Sequence, residues 1–184
     1  IESPLNAIVG TSKLMKDVRQ KADKYASTKG ETITLLGETG VGKSYIAEVI
    51  HNTSGRTGKF EKFVIKGRAE NVIEAELLGS VPSGFHGATD KPGCIERADK
   101  GTVFFDEIGT INQDLQAKLL DVIEDKRILR IGGTEDIKVD VQFIFATNEN
   151  LKSMVEQGSF REDLYMRIIP FSIPLSTLNE RTED

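Results

Sequence analysis

The run Gly37-Glu38-Thr39-Gly40-Val41-Gly42-Lys43-Ser44 limits what this chain can fold into more than any other feature. It fits G-x-x-x-x-G-K-[ST]. An apolar stretch from Thr32 to Leu36 precedes it, and a helical pattern from about Lys43 to His51 follows. A phosphate-binding loop requires that strand-turn-helix setting. Successive main-chain N–H groups curl around an anion, small residues let the backbone approach, and the next helix turns its positive end toward the charge. Gly37, Glu38, Thr39, Gly40, Val41, Gly42, Lys43 and Ser44 are therefore candidate nucleotide contacts. Lys43 can reach the β- and γ-phosphates, and the Ser44 hydroxyl can ligate magnesium.

A second signal supports the first. Thr102 to Phe105 reads as a buried strand, and Asp106 and Glu107 end it with two carboxylates. Alone, such a pair is also what a strand leaving the core for solvent shows. Beside a phosphate-binding loop, Asp106 is a candidate to hold magnesium through its water shell, and Glu107 to orient or deprotonate an attacking water. Neighbouring residues at a strand end point in different directions, so two acids suit two tasks.

Helical and extended patterns alternate along the chain, which predicts a parallel sheet covered by helices. Thr11 or Ser12 can cap a first helix whose apolar positions are Leu14, Val18, Ala22 and Tyr25. Further strands are expected over Lys62 to Lys66, Val139 to Phe145 and Ile168 to Ile173. Helices are expected over Glu70 to Leu78, around Leu115, Leu119, Val122 and Ile123, and over Glu162 to Arg167. Thr147-Asn148 can cap another helix beginning near Glu149. Ser80 to Gly93, rich in Gly, Pro and Ser, is expected as an exposed loop or hairpin.

With 184 residues the chain is expected to form one domain able to bury a core without staples. Cys94 is the only cysteine, which excludes an internal disulfide; together with the lack of a long apolar run it predicts a cytoplasmic protein that does not enter a membrane. Cys94 reads as a structural thiol, His51 as a packing residue at a helix end, and Glu124 to Arg127 as a solvated helix end and turn. A net charge of -5 argues against a basic face that would hold nucleic acid by itself. The abrupt start at Ile1 and the polar stop after Asn179 are expected of an excised domain.

The ordered set of motifs resembles the AAA+ central domain of bacterial enhancer-binding proteins, the activators of sigma-54 RNA polymerase. Gly37 to Ser44 matches the family's Walker A, and Gly101-Thr102-Val103-Phe104-Phe105-Asp106-Glu107-Ile108-Gly109 its Walker B. Glu76-Leu77-Leu78-Gly79 is similar to the segment before the sigma-contacting loop. Arg130-Ile131-Gly132-Gly133 resembles the second pore-facing loop. Ala146-Thr147-Asn148 matches sensor I, with Thr147 and Asn148 as the sensing residues. Phe160 to Arg167 is similar to the segment carrying the arginine fingers, here Arg161 and Arg167. Leu175 to Asp184 looks like the run leading into a helical lid.

This resemblance implies a three-layer α/β/α sandwich, a P-loop NTPase of the AAA+ type with a mainly parallel five-stranded sheet. It implies ATP and magnesium as cofactors and a homo-oligomeric ring, hexamer or heptamer, in which Arg161 and Arg167 act on a neighbour's γ-phosphate. It further implies sigma-54 holoenzyme as the remodelled partner. DNA would be met through a domain outside these residues, and the lid and sensory domains are likewise expected elsewhere. The bland alternative for both arginines is pairing with surface acids such as Glu162 or Asp163.

Two departures stand out. The family's sigma-contacting loop reads Gly-Ala-Phe-Thr-Gly-Ala; here it is Ser83-Gly84-Phe85-His86-Gly87-Ala88, with Phe85, His86 and Gly87 as the candidate partner contacts. A histidine replaces the threonine tied to sigma engagement. Phe85 either engages a partner or packs back on its own domain. The family also has an asparagine that restrains the catalytic glutamate, and Gly67 is read at its place. These departures favour a rival reading, a nucleotide-dependent oligomerisation or regulatory module that does not engage sigma-54. A P-loop phosphotransferase would not explain Arg161, Arg167 and the long Ser80 to Lys91 loop together.

Overall fold

In the computed structural model, which describes residues 5, 8, 10, 12–28, 30–65 and 67–177, helix α1 (Lys13–Ala26) buries Met15, Val18, Ala22 and Ala26 along one face. Ser12 caps it, accepting from the Met15 amide at 3.3 Å. Thr11, Lys66 and the stretch 178–184, which includes most of the expected lid-leading run, lie outside the described residues. Then follow β1 (Ile33–Leu36), α2 (Lys43–Thr53), β2 (Phe60–Val64), α3 (Glu70–Leu78), β3 (Gly79–Ser80), β4 (Lys91–Pro92) and α4 (Cys94–Arg97). The chain continues through β5 (Thr102–Asp106), a 3₁₀ turn (Ile108–Thr110), α5 (Gln113–Asp125), β6 (Arg127–Leu129) and β7 (Asp136–Lys138). It ends in β8 (Gln142–Thr147), α6 (Leu151–Glu156), α7 (Glu162–Ile168) and β9 (Ser172–Pro174).

The main sheet has five strands in the order β2-β5-β8-β1-β9, and every pairing in it is parallel. Alternation along each strand sends side chains to two separate cores. Ile33, Leu35, Phe104, Ile144 and Ala146 meet Val18, Ile46, Ala47 and Ile50 of α1 and α2 on one face. Val103, Phe105, Phe143 and Phe145 meet Ile73, Leu77, Leu119, Ile123 and Leu164 of α3, α5 and α7 on the other. The expected three-layer α/β/α sandwich is therefore present. Phe105 and Phe145, both fully buried, pack with ring centroids 5.7 Å apart. Burying a side chain of this size contributes roughly 1.5–3 kcal/mol.

The topology creates the site. After β1 the chain passes through α2 to β2 at the far edge, whereas β9 lies on β1's other side. Strand order reverses at β1, and in open parallel sheets ligands bind outside the carboxyl ends of the strands at such a point.

Several boundaries differ from the sequence expectation. Ile168 closes α7 instead of opening the last strand, which is only Ser172–Pro174. Ile168 is buried in either setting, so its hydropathy could not distinguish them. The ladder of β8 begins at Gln142, although Val139 and Val141 are already buried in its lead-in. β2 lies two residues earlier than expected. The helix after β8 begins at Leu151, and Asn150 caps it, accepting from the Ser153 amide at 3.1 Å; Thr147-Asn148 do not cap it. Lys126, expected in a solvated turn, is a left-handed residue leading straight into β6.

Candidate functional site

The phosphate-binding loop hangs between two strands. The Gly37 amide donates to Thr147 O of β8 at 3.1 Å, and the Leu175 amide donates to Leu36 O of β1 at 2.7 Å. A Cβ on Gly37 would lie 2.7 Å from Leu175 O, so only glycine fits there. Gly40 and Gly42 have φ of 89° and 94°, the left-handed region that glycine enters without steric cost. The first helical bond of α2 runs from the Ile46 amide to Gly42 O at 3.0 Å, so the Lys43 and Ser44 amides precede it at the positive end of the helix. Lys43 is buried, and its ammonium donates to Gly37 O at 2.7 Å and Glu38 O at 2.9 Å. A buried ammonium needs such acceptors; here the loop's own carbonyls hold it against the loop.

At the end of β5, Asp106 is half-buried and stands in register with Val64 of β2. Glu107 follows with φ 61° and ψ 56°. A left-handed non-glycine residue costs roughly 1–2 kcal/mol, and such strain gathers at functional sites. The surroundings hold it in place: the Thr110 hydroxyl and amide donate to Glu107 O at 2.8 and 3.1 Å. This conformation takes Glu107 out of the strand's alternation and separates it from Asp106.

Gly67, at φ 81°, lies beyond the end of β2, and the residue facing Asp106 across the ladder is Val64. Neither residue carries an amide side chain.

Thr147 and Asn148, the residues read as sensor I, lie at the same edge. Thr147, fully buried, is paired with Leu36 in the ladder, and its hydroxyl accepts from the Glu149 amide at 3.0 Å. The next residue, Asn148, donates from Nδ2 to Thr39 Oγ1 of the phosphate-binding loop at 3.4 Å. Gly37 to Ser44, Asp106, Glu107, Thr147 and Asn148 thus converge at the carboxyl ends of β1, β5 and β8.

The arginines do not join them. Arg161 immediately precedes α7 and pairs with Asp163, at 3.0 Å through Nε and 2.7 Å through Nη2. This is the surface pairing weighed from sequence. Its hydrogen bond holds the Asp163 carboxyl below the usual carboxylate range. Arg167 is exposed on the last turn of α7. Among the described residues neither arginine bonds to the phosphate-binding loop, Asp106 or Glu107.

Three features were not foreseen from sequence. Gln116 is fully buried; its Nε2 donates to Ile111 O at 2.9 Å and Ser159 O at 3.1 Å, and its Oε1 accepts from the Arg161 amide at 2.8 Å. The available signal was a polar residue between Leu115 and Leu119 on an apolar face. Lys62 of β2 donates to Ser44 Oγ at 2.9 Å. Thirdly, the 80–91 and 130–137 loops are laced together. Arg130 pairs with Glu96 at 2.6 and 2.9 Å and with Asp90 at 2.5 Å, and the Val81 amide donates to Ile131 O at 3.1 Å. The 130–137 segment is closed by the antiparallel β6–β7 hairpin, and the 80–91 loop by the β3–β4 ladder. Phe85, at 49% exposure, does not pack back into the domain core; with Val72, Ala75, Ala88 and Ile131 it lines a groove of about 420 Å³.

Other candidates are structural. Cys94 is buried, and burial pushes its thiol up to about 12, so it is no nucleophile at neutral pH. His51 Nδ1 lies 2.8 Å from Thr102 Oγ1 and its ring 5.5 Å from that of Phe60. No helix among the described residues is long and apolar enough to cross a membrane.

Comparison with known proteins identifies the family. The family described as the Sigma-54 interaction domain matches residues 8–174. The nitrogen fixation protein AnfA of Azotobacter vinelandii is 44% identical over 182 residues, covering 96% of this chain and 33% of that protein. The formate hydrogenlyase transcriptional activator of Salmonella typhimurium is 39% identical over 186 residues, covering 100% of this chain and 27% of that one. The crystal structure of NtrX from Brucella abortus in complex with ATP superposes with a TM-score of 0.85 at 34% identity, covering 96% of this chain and 40% of that one. The chain thus spans about a third of the length of these curated relatives. A match over nearly its whole length, on a P-loop NTPase fold of the AAA+ type, places this chain in the sigma-54 interaction domain family of transcriptional activators.

Proposed function

We propose that this chain binds ATP with magnesium, hydrolyses the ATP, and uses the cycle to remodel sigma-54 holoenzyme in the cytoplasm. The observation that carries the reading is the convergence of Lys43 and Ser44 after β1, Asp106 and Glu107 after β5, and Thr147 and Asn148 after β8 at one sheet edge. The residues fit a nucleotide. A Cβ at Gly40 or Gly42 would meet nothing within 4 Å, so the loop's main chain lies open to a phosphate. Ser44 and Asp106 supply hard oxygen donors suited to magnesium, which when bound neutralises charge on the β- and γ-phosphates. A solved relative, NtrX, takes both ADP and ATP on this fold.

The chain's own groups divide the work. Loop amides and the start of α2 bind and orient the phosphates. Lys43 exchanges the Gly37 and Glu38 carbonyls for phosphate oxygens. Glu107, turned out of the strand by its left-handed backbone, takes the proton of the attacking water or aligns it. Asn148, in contact with Thr39, reports the state of the loop to β8. Arg161 and Arg167 stand away from their own site and serve a neighbour's in a homo-oligomeric ring, hexamer or heptamer; Arg161 exchanges Asp163 for the γ-phosphate. The lacing of the Phe85-His86-Gly87 loop to the Arg130 segment makes the two move as one unit against the partner. Promoter DNA is met by other parts of the whole protein, in keeping with the net charge of -5 here.

Glu107→Gln tests the chemistry. ATP binding should persist while turnover falls by roughly 10²–10⁴-fold; unchanged turnover removes Glu107 from catalysis. A pull-down of the full-length protein with sigma-54 and an ATP transition-state analogue tests the partner. His86, in the threonine's place, favours a second reading: a nucleotide-dependent oligomerisation module that does not engage sigma-54. No nucleotide-dependent capture in the pull-down would select that reading.

A further inference from the structure

Lys62 lies in the middle of β2, paired with Phe104 of β5, and its side chain runs over the sheet face that carries α2. Its Nζ is 5.8 Å from the centroid of the buried Phe104 ring and 2.9 Å from Ser44 Oγ, to which it donates. The ammonium stands over an aromatic ring and donates to one hydroxyl. That hydroxyl is the side chain that would ligate magnesium in the nucleotide site proposed above.

We infer that Lys62 competes with the divalent cation for Ser44 Oγ, and so sets the magnesium concentration at which nucleotide binding tightens. The argument is one of lone pairs and charge. A serine oxygen that accepts from an ammonium presents its lone-pair density to that donor, and a cation arriving at the same oxygen meets a positive charge within a few ångströms. The ammonium must leave before the metal settles, and its hydrogen bond is the free energy the metal must replace. Lys62 is thus a positioning residue for the metal step. Lys62 is exposed, so its ammonium can withdraw into solvent without disturbing the core.

The test is calorimetric titration of ATP into the protein at a series of magnesium concentrations, starting in chelator. It compares wild type with Lys62→Met, which keeps the stem without the charge, and Lys62→Arg, which keeps the charge. Lys62→Met should reach half of its magnesium-dependent tightening at a concentration about threefold to tenfold lower than wild type, the range for one net hydrogen bond at a partly exposed site. Lys62→Arg should stay near wild type. An unchanged or higher magnesium requirement in Lys62→Met overturns the inference, as does a Lys62→Arg protein that behaves like Lys62→Met. If Lys62→Met fails to fold by circular dichroism, Lys62→Gln takes its place in the same series. The inference rests on the nucleotide-site reading, and the failures are separable. Wild type that takes up no ATP at any magnesium level refutes that reading; magnesium-dependent uptake that Lys62→Met does not shift refutes only the competition.

Discussion

Gln116→Leu should destabilise the domain by an amount that can be worked from three hydrogen bonds. The side chain is fully buried; its amide joins Ile111 O, Ser159 O and the Arg161 amide. Leucine is close in size, so little cavity opens, but it satisfies none of the three. Ile111 O is left buried without that donor, at a cost of about 1–3 kcal/mol. The bonds to Ser159 O and the Arg161 amide are only part-buried, and water can replace the glutamine at roughly 0.5–1 kcal/mol each. The apolar gain of leucine offsets about 1 kcal/mol. The net loss is about 1–4 kcal/mol, or a fall in Tm of about 2–16 °C for a domain of this size. Urea unfolding followed by circular dichroism, with a thermal melt alongside, reads it. Gln116→Glu is the sharper control. Its carboxylate still accepts from the Arg161 amide but can donate to neither carbonyl, so it should be less stable than Gln116→Leu at neutral pH and regain stability on acidification. A loss under about 0.5 kcal/mol for both variants, no more than a neutral surface change produces, would show that the network does not hold α5 to the Arg161 segment.

Other expectations follow from the site. Lys43→Ala should weaken ATP binding by about tenfold to a hundredfold or more, since it removes charge-assisted hydrogen bonds to phosphate; wild-type affinity by calorimetry contradicts the loop assignment. Arg161→Ala should cost roughly 10³–10⁵ in turnover of the assembled full-length protein. Mixing Arg161→Ala with Glu107→Gln subunits should restore part of the activity, because some interfaces then pair an intact Glu107 with an intact Arg161; no recovery on mixing argues against action between subunits. Burial, with the Arg56 charge second and opposed by Glu48, lowers the His51 imidazole below its ordinary 6.5. The unfolded chain therefore takes up the proton more readily, so the stability contribution of neutral His51 is complete above pH 6.5 and is lost as pH falls from there through the lower folded value. His51→Gln should flatten that part of the stability–pH curve, and an unchanged slope assigns it to other groups.

What the sequence determined by itself was whatever depends on near neighbours. Gly37 to Ser44 specify a phosphate-binding loop because glycine conformation, helix polarity and the reach of lysine act within a few residues. Phe104-Phe105-Asp106-Glu107 specify a buried strand ending in acids because alternation and hydropathy are local. With alternating helices and strands these led to the layered fold, and the ordered motifs led to the family. Tertiary structure decided the rest, because the deciding contacts join residues far apart in the chain. Whether Ile168 ended a helix or began a strand depended on where β1 accepted its last partner, since an apolar residue is buried in both. Val64 stands beside Asp106 because the β2–β5 register places it there. Lys62 reaches Ser44 across 18 residues, Gln116 holds the Arg161 amide across 45, and Arg130 ties down Glu96 across 34. Side chains of this kind carry no periodic signature; their partners are chosen only when the sheet has closed.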